Sequence, residues 1–243
     1  MIEHSHIQTE PGSYYIRGSE APKLRIIFMH GSGSNAVHME KSAADLAKLL
    51  PDAQIVVPNG TYQVPEETMT EEHRMGLNGL AGYRWFKREE SPSAKEVNFF
   101  KVHLPDIEKQ DTEKSPLFLL GFSEGGFYAA QLYAHDPERY SGVVLHSSAI
   151  VNSMKNIKKN ENPDRSAPAK VYSFIGLQDP YLRMKVSPLL LAIHFKNSVV
   201  LNWRGHKSRT GFQWGLAHTI TQSSIKRAAD HIQKIMDYSP GLK

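Results

Sequence analysis

Apolar positions along the chain fall into two alternating patterns. Short, mainly apolar runs of strand length recur at Leu24–Met29 (LRIIFM), Gln54–Val57, Leu117–Leu120, Gly142–His146 and Lys170–Ile175. Unbroken runs of this length mark strands buried on both faces. Between them, apolar residues recur at helical spacing. Met39, Ala43, Leu46, Ala47 and Leu50 outline a helix over 36–50 that Pro51 ends. Ile225, Ala229, Ile232 and Met236 outline the last helix, with Thr221 as its cap. Phe127–Ala134 reads as a helix directly after Leu117–Leu120, and Ser187-Pro188 opens another through about Phe195. Val199–Trp203 reads as the last strand, and Ser13–Arg17 as an early strand, half of an edge hairpin. Strands alternating with helices from Leu24 onward predict a mostly parallel central sheet with helices on both faces, one α/β domain over 1–243.

Two stretches break the alternation. Residues 61–93 are long and irregular, and connections of this length usually carry function. They hold Gly76, Gly79 and Gly82, then Tyr83-Arg84-Trp85-Phe86, an aromatic group that either packs the loop onto the body or walls a substrate pocket with Trp85 nearest. A helix is expected at 98–104. Residues 151–169 are polar and lysine-rich and read as a surface excursion.

The chemistry concentrates where the apolar pattern switches period. Leu117–Leu120 runs into Gly121-Phe122-Ser123-Glu124-Gly125-Gly126 and then a helix. A buried strand, a tight turn and a helix with serine at the tip form a nucleophile elbow. Its glycines have a steric reason, because side chains two residues either side of so sharp a turn would collide with it. The helix start behind the serine favours developing negative charge. A second glycine-rich stretch, His30-Gly31-Ser32-Gly33-Ser34-Asn35, follows Leu24–Met29, at the strand end where open α/β sheets place their sites. It lacks the Lys-Ser/Thr of a phosphate loop. Paired with the elbow, the amides of Ser32 and Glu124 are the expected halves of an oxyanion hole. His30 is expected to hold the loop. Gly31, Trp85 and Phe122 are the expected substrate contacts.

A serine hydroxyl needs a histidine to take its proton and a carboxylate to orient that histidine. Asp179 follows the strand ending at Ile175 and suits the carboxylate role, whereas Asp164 precedes that strand and Asp136 sits at a helix end. His206 and His218 both satisfy the chain order. His218 is favoured because the capped final helix can anchor it. On that reading 204–214 is an inserted loop near the site mouth, with His206 on the surface or touching substrate. His146 and His194 read as structural.

Composition narrows the picture. With no cysteine, disulfides, thiolate metal sites and a cysteine nucleophile are all excluded. The net charge of +4 is mild, and no aromatic-rich nucleic-acid module accompanies the basic clusters at Lys155, Lys158 and Lys159 and at Arg204, Lys207 and Arg209, so no nucleic-acid partner is expected. His4 and His6 lack further ligands at motif spacing, and no metal site is expected. No apolar run reaches membrane-spanning length and the start lacks signal-peptide features, which leaves a cytoplasmic protein without stable membrane insertion as the expectation. Oligomeric state is not legible.

Taken in order, FMHGSGSN, PDAQIVVPNG, GYRWF, GFSEGG, GLQDP and AHTIT resemble the phospholipase/carboxylesterase family of α/β-hydrolases, which includes acyl-protein thioesterases. The resemblance spans about Leu24 to Met236. It implies a Ser123–Asp179–His218 triad that cleaves carboxylic ester or thioester bonds of small-molecule acyl substrates, without metal or organic cofactor. The family usually has glutamine after the serine, where this chain has Glu124. Two alternatives stand beside this reading: a catalytically silent binding protein on the same fold, and amide or peptide cleavage by the same triad.

Overall fold

The computed structural model describes residues 14–86, 115–148, 157–160, 163–164, 166–176, 187–213 and 218–238. Among these residues the strands are β1 (Tyr14–Gly18), β2 (Leu24–Met29), β3 (Ala53–Pro58), β4 (Tyr62–Gln63), β5 (Tyr83–Arg84), β6 (Leu117–Phe122), β7 (Gly142–His146), β8 (Val171–Gly176) and β9 (Ser208–Gln213). The helices are α1 (Glu40–Leu49), α2 (Glu71–Gly76), α3 (Glu124–His135), α4 (Ser187–Trp203) and α5 (Gln222–Tyr238). Seven strands form one sheet in the order β1-β3-β2-β6-β7-β8-β9, and β4 and β5 pair separately. Every pairing in the large sheet is parallel except β1 with β3. The strand that carries Ser123 at its end, β6, is therefore the middle one.

The apolar runs are buried on both faces because each face has its own helical cover. Ile26, Phe28, Ile55, Phe118 and Leu120 pack with Ala43 and Leu46 of α1 and Ile225, Ala229 and Ile232 of α5. Their neighbours in sequence, Ile27, Met29, Val56 and Leu119, pack with Tyr128, Leu132 and Tyr133 of α3 and Leu201 of α4. This period-two division places β6 between two apolar layers, so the elbow has a rigid base. None of the described helices is long and apolar enough to cross a membrane.

Two expectations about the edges need correction. β1 is an edge strand, yet it pairs with β3 and not with its sequence neighbour β2, so there is no hairpin. Val199–Trp203 is the last part of α4, and the last strand is β9, inside the stretch expected to be an inserted loop. The buried residues His194, Asn197 and Leu201 recur three and four apart, while Val199 and Trp203 are exposed. The contact between α4 and β9 is partly polar. His194 Nε2 and Thr210 Oγ1 lie 2.7 Å apart, Ser198 Oγ and Ser208 Oγ 2.6 Å apart, and the Ser208 amide donates to Asn202 Oδ1 at 3.1 Å. A polar edge strand stitched by hydroxyls shows no apolar run. The expected helix at 98–104, the N-terminal histidines His4 and His6, Lys155 and Asp179 lie outside the described residues.

Candidate active site

The site is assembled at the carboxyl ends of the parallel strands. Ser123 directly follows β6 and caps α3, with φ 52° and ψ −119°, a conformation that non-glycine residues rarely adopt. The turn is held by bonds on both sides. The Ser123 amide donates to the His146 carbonyl at 2.9 Å, and its carbonyl accepts the Gly126 and Phe127 amides at 3.0 and 3.2 Å. The glycines are explained by close approach. A Cβ on Gly121 would lie 2.3 Å from the Gly125 carbonyl oxygen, and one on Gly125 would lie 2.4 Å from that of His30. Both contacts are with backbone, which cannot swing aside.

His218 Nε2 lies 2.8 Å from Ser123 Oγ, within hydrogen-bond distance. The register explains the meeting. β8 and β9 run parallel from Val171↔Ser208 to Gly176↔Gln213, so the chain leaves β9 on the same side of the sheet as Ser123. Three residues past His218, Thr221 Oγ1 accepts the Ser224 amide at 3.2 Å and Ser224 Oγ accepts the Thr221 amide at 2.9 Å. This reciprocal cap fixes the start of α5 and with it the segment carrying His218. Phe122 lies between two imidazoles, with ring centroids 5.1 Å from His218 and 5.3 Å from His146.

His206 is at the opposite pole, ahead of β9. It is buried, its Nε2–H donates to the Lys158 carbonyl at 2.7 Å, and its Nδ1 faces the Tyr133 hydroxyl at 3.5 Å. It is not the surface residue expected, and it lies at the amino end of β9, away from the strand end that carries Ser123. Burial lowers its pKa, opposed by the bond to Lys158, with smaller lowering from the charges of Lys170 and Arg204. His30 holds the glycine-rich loop. Its Nδ1–H donates to the Gly31 carbonyl at 2.7 Å, and its Nε2 accepts the Gly60 amide at 3.0 Å. Burial lowers its pKa to about 4, so it stays neutral and keeps this tautomer. His146 is buried, both ring nitrogens lack a hydrogen-bond partner among the described residues, and its pKa is lowered to about 3, first by burial and then by His218. It acts as an aromatic plate between Phe122 and Phe174.

The glycine-rich loop lies against the elbow: a Cβ on Gly31 would sit 3.0 Å from the Phe122 ring and 3.4 Å from Ser123 Cβ. Trp85, expected at a pocket wall, is only 1% exposed. Its ring stacks on Tyr128 at 5.2 Å and its indole N–H donates to the His30 carbonyl at 2.8 Å. It supports the loop from behind, the packing alternative for that aromatic group. The Glu124 carboxylate points to β5 and the residue after it. Oε1 accepts Arg84 Nη2 and Oε2 accepts the Trp85 amide, each at 3.1 Å. Sequence reasoning missed this role for Arg84, although an acidic residue directly after the elbow serine was a signal to look for a cation. Among the described residues no three His, Asp or Glu side chains gather as a metal site.

The profile of the phospholipase/carboxylesterase family matches residues 14–236. No curated protein matches the chain in sequence. Among solved structures, esterase PE8 superposes with a TM-score of 0.66 at 20% identity, over 93% of this chain and 98% of that one. A carboxylesterase from Mesorhizobium loti gives 0.64 at 17% identity, over 95% and 99%. The Bacillus cereus carboxylesterase gives 0.62 at 16% identity, over 92% and 94%. At these identities the likeness is one of fold.

Proposed function

The chain belongs to the phospholipase/carboxylesterase family of α/β-hydrolases and is an esterase-type hydrolase; from that premise we propose that it is a serine hydrolase that cleaves small acyl esters or thioesters through an acyl-enzyme. The observation that carries this reading is the 2.8 Å contact between His218 Nε2 and a serine hydroxyl on a strained turn. In the proposed cycle Ser123 Oγ attacks the carbonyl carbon while His218 takes its proton. The tetrahedral intermediate collapses as His218 returns the proton to the leaving alcohol or thiol. Water then repeats the sequence on the acyl-enzyme and releases the acid. Asp179 is the proposed carboxylate that fixes the imidazole and stabilises its charged form. The amides of Ser32 and Glu124 are the proposed donors to the oxyanion, a role in which one donor typically contributes about 3 kcal/mol. Gly31 and Phe122, which meet at the elbow, are the proposed substrate contacts.

A fluorophosphonate probe tests the nucleophile directly. The folded protein should be labelled at Ser123, and Ser123→Ala should abolish both labelling and ester turnover. A panel of p-nitrophenyl esters and acyl thioesters of graded chain length then reads the substrate class. An unlabelled, inactive but folded protein would return the chain to a binding role, and full turnover by Ser123→Ala would remove the mechanism.

A further inference from the structure

The side chain after the nucleophile is tied to the loop opposite it, and the tie carries charge. Glu124 places both carboxylate oxygens on donors from one short segment, Arg84 Nη2 and the Trp85 amide, each at 3.1 Å. That segment also holds the glycine-rich loop. The Gly33 amide donates to the Tyr83 carbonyl at 2.8 Å, the Tyr83 amide donates to the Ser34 carbonyl at 2.7 Å, and the Trp85 indole donates to the His30 carbonyl at 2.8 Å. A Cβ on Gly82 would sit 2.1 Å from the Gly33 carbonyl oxygen, so segment and loop touch through their backbones. A displacement of residues 83–85 therefore moves the loop that carries Ser32.

We propose that Glu124 and Arg84 are paired positioning residues: Glu124 keeps the two halves of the oxyanion hole in register through residues 83–85, and Arg84 cancels the charge that Glu124 would otherwise set beside the developing oxyanion. This rests on the acyl-transfer reading above. The electrostatic half follows from burial. The Glu124 side chain is 13% exposed and that of Arg84 26%, so water screens their charges weakly. An unpaired carboxylate next to Ser123 opposes negative charge as it builds on the substrate oxygen. Paired with a guanidinium it leaves little net field, and its second oxygen is occupied by an amide. Among the described residues Glu124 is the carboxylate paired with the Arg84 guanidinium, and the Arg84 Nε finds no partner there.

The pairing has a signature that a merely structural contact lacks. Removing the cation alone should be worse than removing both charges. On a short p-nitrophenyl ester, Arg84→Met should lower kcat about 30-fold with KM within about 2-fold, because the lost interaction acts on the transition state. Glu124→Gln should lower kcat only about 3-fold, and the double variant should recover to within about 5-fold of the unchanged protein. Arg84→Lys keeps the charge and should stay within about 3-fold, which decides the matter should Arg84→Met not fold. Inhibition by a trifluoromethyl ketone, whose adduct places an oxyanion in the hole, should weaken in parallel with kcat, while a non-hydrolysable ether analogue of the substrate should bind as before. A double variant no faster than Arg84→Met, or Arg84→Met and Glu124→Gln both within 2-fold of the unchanged protein, overturns the proposal. Fluorophosphonate labelling and Ser123→Ala run alongside separate the two failures: an active Ser123→Ala removes the acyl-transfer reading, whereas an inactive one with unaffected clamp variants removes only the clamp.

Discussion

The two ends of β9 each carry a histidine, and sequence order alone gives them equal standing. His206 precedes the strand and is locked between the Lys158 carbonyl and the Tyr133 hydroxyl. His218 follows it and meets Ser123. The six-residue strand between them separates its two ends by about 17 Å, and its carboxyl end is the one on the side of the elbow. What separates the two candidates for the proposed base is the position of the last strand, not the count of residues after a convincing apolar run. Replacing each histidine should produce opposite phenotypes. His218→Ala should lower kcat/KM by about 10³-fold or more with little change in Tm. His206→Ala should leave kcat/KM within about 2-fold and destabilise the protein by about 1–3 kcal/mol, since buried partners lose their bonds. An inactive but fully stable His206→Ala would reverse the comparison.

Glycine substitutions sharpen the same contrast between elbow and edge. Gly125→Ala directs a Cβ at two carbonyl oxygens, those of His30 at 2.4 Å and Met29 at 2.6 Å. The backbone must yield, and a shift of about 1 Å at a nucleophile lowers turnover about 10²-fold. Gly211→Ala on β9 meets the Tyr172 hydroxyl at 2.7 Å, the far end of a side chain that can rotate. It should change kcat by less than about 2-fold, with a stability change within about 1 kcal/mol. Steady-state kinetics and thermal melts on the two variants check both statements.

The elbow was legible and the edge was not, for reasons that lie in the kind of force at each. Leu117–Leu120 with glycines at 121, 125 and 126 announces itself because burial on two faces and backbone collision each admit few residue types. The capped helix with Ile225, Ala229, Ile232 and Met236 is read by the same logic, and all four side chains are buried. β9 has the sequence SRTGFQ and is held to α4 in part by hydroxyls, an amide and an imidazole, none of which leaves a periodic apolar trace. The apolar VVL of α4 was then the best remaining strand. Arg84 was hidden differently: its importance comes from a carboxylate 40 positions away, a pairing visible only when the small β5 strand is laid beside the elbow.

Buried imidazoles extend the comparison into pH. Burial lowers the pKa values of His30, His194 and His231 to about 4 and that of His146 to about 3, each below the ordinary 6.5. Between those values the unfolded chain binds protons that the folded chain does not, so stability rises with pH there and is fully present above about 6.5. It is lost progressively as the pH falls from 6.5 toward 4. Melting temperature should therefore drop steeply over that window. His231→Gln, which removes one such group on α5, should make the drop shallower. A flat profile across the window would mean these groups are accessible to protons in the folded state.

The smallest expected effect concerns what anchors each end of β9. Thr221 and Ser224 exchange hydrogen bonds at the start of α5, three residues beyond His218. Asn202, near His206, receives the Ser208 amide at 3.1 Å and donates to Ser208 Oγ at 3.0 Å. Thr221→Ala and Asn202→Ala should each lower stability by about 1 kcal/mol, the usual worth of a cap or a local side-chain bond. Their effects on catalysis should differ. Without the Thr221 hydroxyl the first turn of α5 frays, His218 samples more positions, and kcat falls about 3-fold while KM holds. Asn202→Ala loosens only the remote pole and should leave kcat unchanged. Equal kcat in the two variants at matched loss of Tm would show that the segment carrying His218 is held by its contact with Ser123 rather than by the helix behind it.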